Sequence, residues 1–130
     1  MIKELAQASE TLRGLIDVGI DSALSSMKGG SAPPSMLSMD QGQIDIAVFQ
    51  GISFQDFRRT PATLSKGAQA YVLVYCASVE RGGVAYDAII VEGAERGERA
   101  GHKVVQLMAT GSAQRFGDPL YAGPTEQLLT

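Results

Sequence analysis

The stretch that decides the fold is Gln69-Ala70-Tyr71-Val72-Leu73-Val74-Tyr75-Cys76-Ala77-Ser78-Val79, followed by the return Val84-Ala85-Tyr86-Asp87-Ala88-Ile89-Ile90-Val91-Glu92. Both runs are rich in β-branched and aromatic residues, which favour an extended chain. The centre of the first is apolar at every position, as expected of a strand buried on both faces. Arg81-Gly82-Gly83 lies between them, and paired glycines supply the positive φ of a tight hairpin turn. This reads as an antiparallel hairpin.

Working towards the C-terminus, residues 93–101 form a polar, glycine-punctuated connection, and residues 102–110 read as a third strand. Residues 114–121 read as a short fourth strand weakened by Pro119, and 123–130 as a flexible tail or a docking segment through Leu128-Leu129. Working towards the N-terminus, residues 53–66 read as a helix. Ser53 is its cap, with Asp56 three residues on, Phe54 and Phe57 turned inward, and a kink near Pro61. Two short strands precede it, 35–39 at a sheet edge and 43–50, joined at Asp40-Gln41-Gly42. The chain opens with a long amphipathic helix over residues 1–28. Leu5, Ala8, Leu12, Leu15, Ile16, Ile20, Ala23, Leu24 and Met27 form one stripe, and Gly29-Gly30 closes it. Gly14 and Gly19 inside that helix suggest close contact with something flat. The expected fold is α+β: two helices on an antiparallel sheet of about five strands, in two layers.

Composition narrows the function. The chain has 130 residues, enough for a single domain over 1–130 with its own core. One cysteine, Cys76, rules out an internal disulfide, and its place in an apolar run reads as buried and inert. A net charge of −3 argues against nucleic acid, whose phosphates need clustered Lys and Arg. The longest apolar run, residues 70–77, is too short to cross a bilayer as a helix, and charged residues break up the first seventeen positions. A cytoplasmic protein with no membrane attachment is the reading.

The element order resembles the roadblock and profilin-like group, in which helices pack on a five-stranded antiparallel sheet. That resemblance implies a fold and no activity. Separately, Tyr71-Val72-Leu73-Val74-Tyr75 with the run from Asp87 through Gly93-Ala94-Glu95-Arg96-Gly97 is similar to a stretch in small bacterial proteins of uncharacterised function. No activity comes with that resemblance either.

Chemistry-bearing residues are sparse. Glu92, Glu95, Arg96, Glu98, Arg99 and His102 cluster in sequence, where a Glu can polarise His102 or oxygen and nitrogen can ligate a metal. No spacing among them matches a metal signature, and a solvated loop is the plainer reading. Strand parity places Asp87 beside Ile89 and Val91, where Tyr75 on the neighbouring strand can donate to it; a water-facing Asp87 is the plainer reading. Arg58-Arg59 and Lys66 beside Phe54 and Phe57 can hold an anion or a base, but adjacent arginines on a helix point in different directions, and a solvated face is the plainer reading. No nucleotide-binding glycine pattern or serine nucleophile elbow is present, so no cofactor is expected. Two functions follow. One is a non-catalytic, self-associating interaction or scaffold domain, a homodimer by default, with room for a further protein partner. The other is a small-ligand or weakly hydrolytic pocket built from Tyr75, Asp87, Glu92 and His102.

Overall fold

A computed structural model describes residues 9–30, 32–64, 67–109 and 114–129. The first helix, α1 (Glu10–Lys28), starts where Ser9 accepts a hydrogen bond from the Leu12 N–H at 3.1 Å. Residues 1–8, including Leu5 and Ala8 of the expected stripe, lie outside the described residues. The helix ends as Gly29 and Gly30 bond back to Ser26 and Met27, with Gly30 at φ 118°. Its stripe Leu12, Leu15, Ile16, Ile20 and Ala23 is buried.

Strands β1 (Ser35–Asp40) and β2 (Gln43–Val48) form the expected hairpin. Gln41 and Gly42 both have positive φ, 50° and 79°, the signature of a two-residue turn whose twist suits an antiparallel pair. Helix α2 (Phe54–Leu64) is capped by Ser53, whose Oγ accepts from the Asp56 N–H at 3.1 Å. Pro61 sits inside it and cannot donate to the Phe57 carbonyl one turn back. The Thr60 hydroxyl donates to that carbonyl instead, at 2.7 Å. Phe57 is buried, whereas Phe54, expected to face inward as well, is 52% exposed. Lys66 lies outside the described residues.

β3 (Ala70–Arg81) and β4 (Val84–Glu95) pair along their whole length around Gly82-Gly83. β4 continues three residues past Glu92, which shortens the expected loop of 93–101 to a turn before β5 (Ala100–Leu107). The last strand is β6 (Leu120–Glu126), later than the 114–121 expected. A register shift at Lys103/Val104 leaves Ala122 as an extra residue on β6, next to Gly123 at φ 108°. The first half of the segment read as a tail, residues 123–126, is thus strand, and Leu129 beyond it is buried against Tyr71 and Leu73.

The six strands lie in the order β2-β1-β3-β4-β5-β6, all pairs antiparallel. The sheet expected to have about five strands thus has six, the weak last one being made firm as β6, and β2 rather than β1 takes the edge. The two-layer arrangement is also corrected, because the helices take opposite faces. α1 packs on Leu37, Val72, Val74, Ile89, Val91 and Val104. Phe57 of α2 packs on Met36, Tyr71 and Leu73, whose side chains alternate to the other face. A strand apolar at every position is what a sheet covered on both sides requires. Gly19 explains the fit of α1: a Cβ there would stand 2.8 Å from Val74 Cγ2.

A candidate functional site on the α2 face

Glu92 follows Ile90 on the α2 face of β4 and is 3% exposed. A carboxylate taken that far from water must be paired and hydrogen-bonded. Three elements meet it. Arg58 of α2 donates from Nη1 to Glu92 Oε1 at 2.6 Å, and Thr125 of β6 donates to the same oxygen at 2.7 Å. Tyr75 of β3 donates its hydroxyl to Oε2 in a short hydrogen bond. Arg58 in turn lies 5.7 Å from the centre of the Phe54 ring, and Phe54 meets Tyr75 edge-on. Close by, the Tyr71 hydroxyl accepts from the Leu128 N–H at 3.1 Å, tying down the chain after β6.

The electrostatics follow from this geometry. Burial pushes the Glu92 carboxyl up, but the hydrogen bonds from Tyr75, Arg58 and Thr125 outweigh it and hold the group below the usual glutamate range. Burial and the same carboxylate push the Tyr75 hydroxyl up, so it stays a donor at neutral pH. Burial raises Tyr71 to about 12. Both oxygens of Glu92 are occupied by partners of this chain. The cluster therefore clamps α2, β3, β4 and β6 together.

Tyr75 and Glu92 are the two expected site residues that the fold brings together. Asp87 is exposed, on the α1 side of the sheet opposite Ser78, so Tyr75 donates to Glu92 and not to it. His102 also lies on the α1 side, because its register partner is Gly93 and not Glu92. Its Nε2 is 2.9 Å from Glu98 Oε2 and its Nδ1 is 3.2 Å from the Tyr121 hydroxyl. Glu98 thus reaches His102, but the pair is separated from Glu92 by the sheet itself. Glu95 stands on the same side with Oε1 unpartnered; burial and then the Glu98 charge push its carboxyl up. Among the described residues, no group of three or more His, Cys, Asp or Glu is placed to hold a metal ion.

Two further expectations change. Cys76 is exposed, at the margin of the surface that α1 covers, with Met27 Sδ of the last turn of α1 4.0 Å from its Sγ. Arg58 belongs to the Glu92 cluster rather than to a solvated face, while Arg59 is exposed and 3.8 Å from Asp56. The sequence reading missed the joint role of Arg58 and Thr125. Its one available signal was an acid on the face of Ile90, which demands a cation from some other element without saying which.

Comparison with protein-family models, with curated proteins and with solved structures returns no match. No helix among the described residues is long and apolar enough to cross a membrane.

Proposed function

We propose that the protein is a non-catalytic interaction module that works by self-association. The observation that carries this reading is that two exposed apolar side chains coincide with an open sheet edge, whereas the other exposed apolar residues, such as Val18, Phe54 and Leu64, are on helices or beyond the sheet's paired centre. Ile46 and Val48 stand on the outermost strand of the sheet, 52% and 59% exposed, and no described residue pairs with that strand's outer edge. Natural sheets usually protect such an edge with proline, lysine or a bulge. β2 carries none of these, and its one charged residue is Asp45. The satisfied state of Glu92 supports the same reading, because its oxygens are already used to hold elements together. Asp87 and His102, on the far side of the sheet, do not complete a pocket with Tyr75 and Glu92.

Sedimentation velocity over a wide concentration range tests the proposal. A dimer mass that dissociates on dilution is expected, and a monomer at every concentration overturns it.

A further inference from the structure

We infer that the outer edge of β2 pairs with β2 of a second copy, antiparallel, about a twofold axis passing beside Ile46. This rests on the self-association proposed above and specifies its surface, partner and register.

In an antiparallel ladder, successive residues turn their N–H and C=O groups alternately to one neighbour and the other. The two-residue turn makes Asp40 and Gln43 the first hydrogen-bonded pair, so residues 43, 45 and 47 bond inward to β1. The Phe49 N–H, which donates to the Pro34 carbonyl at 2.9 Å, continues the same parity. Ile44, Ile46 and Val48 therefore present their backbone groups outward. These residues also carry the apolar side chains of β2 on the α1 side, where Ile44 joins the core and Ile46 and Val48 project beyond it.

A twofold axis perpendicular to the sheet keeps each face on its own side, so residues that face one another share parity. Axes nearer the ends of β2 slide the overlap into the flanking turns, which leaves three registers, centred on residues 45–47. An axis at Asp45 sets two carboxylates directly opposite each other, which is destabilising. An axis at Ala47 moves the overlap off the strand, with Asp45 opposite Phe49 and Ile44 opposite Gln50. An axis at Ile46 pairs Ile46 with Ile46, Ile44 with Val48 and Asp45 with Ala47. It uses the outward backbone groups of Ile44, Ile46 and Val48 on both copies and covers their exposed side chains. The edge is self-complementary in that register.

The resulting assembly is one continuous sheet, with both α1 helices on the same side. The far halves of the β3–β4 hairpins point in opposite directions and do not meet. That hairpin, with Val84 50% exposed, and the outer side of α2, with Phe54 and Leu64 52% and 57% exposed, are competing surfaces, and Ile46→Lys separates β2 from both.

The test uses the full chain with Cys76→Ser, which removes the native thiol. Ile46→Cys in that background should be joined into a covalent dimer by dibromobimane, which bridges only closely spaced thiols. Val79→Cys should stay uncoupled. Ile46→Lys should shift the sedimenting species to monomer with an unchanged circular dichroism spectrum. If the protein is a dimer but couples through Val79→Cys, or keeps its mass with Ile46→Lys, this register is wrong and self-association stands. If the parent chain is a monomer, both readings fall.

Discussion

Two glycines one helical face apart show how differently the same residue type is used. Gly14 is exposed, and a Cβ added there meets nothing within 4 Å, whereas at Gly19 it would meet Val74 at 2.8 Å. Gly14→Ala should raise stability by about 1 kcal/mol through helix propensity alone. Gly19→Ala gains the same propensity but forces a stiff β-branched neighbour aside, and should lower stability by about 1–2 kcal/mol. Urea unfolding of the two variants checks the opposite signs. The Glu92 cluster behaves as a unit with unequal members. Glu92→Ala strands Arg58 and Tyr75 against the sheet and should cost about 3 kcal/mol, at the lower end for a broken buried pair because Arg58 still reaches water. Thr125→Val removes one of two donors to Oε1 and should cost about 1 kcal/mol. Equal losses in the two variants would mean that Arg58 contributes nothing to the clamp.

Among the elements, the long hairpin is divided by its neighbours. β1 covers β3 only as far as Ser35 opposite Val74, and β5 covers β4 only from Ala88 opposite Leu107. The parity of β1 assigns the next donor towards β3 to residue 33, a proline without an N–H, so the ladder stops there. The outer half of the hairpin is left as a two-stranded ribbon. On one face it carries Ala77, Val79, Val84 and Tyr86, the last stacked on Phe116 at 5.6 Å, and on the other Ser78, Glu80 and Asp87. Two strands alone are marginal in water. Amide hydrogen exchange should therefore be slow at residues 70–74 and 88–93 and much faster at 77–86. Uniform protection along both strands would show that something covers the ribbon.

For the whole molecule, the clamp makes stability depend on pH in a known direction. Glu92 titrates below its unfolded value, so its contribution is fully present above the ordinary glutamate range and is lost as pH falls through the depressed native value. Glu95 is shifted the other way: its contribution favours folding while it is protonated and disappears as pH rises through its native value. Urea midpoints from about pH 7 down to about pH 3 should fall more steeply for the wild type than for Glu92→Gln, whose curve starts lower and is flatter. Parallel curves would remove Glu92 as the source of the acid sensitivity.

Most elements are legible along the chain, because their causes are local. The stripe of α1, the Ser53 cap, the Asp40-Gln41-Gly42 turn and the Gly82-Gly83 turn are each written within a few residues. Packing, in contrast, sends α2 to the face opposite α1 and runs β6 late enough to bring in Thr125. Tertiary structure also sent Tyr75 to Glu92 rather than to Asp87, and left the edge to β2. Those outcomes depend on strand order and on contacts between residues such as Arg58 and Glu92, 34 positions apart. Periodicity reports which face a side chain takes, and carries no information about which distant element will come to cover it.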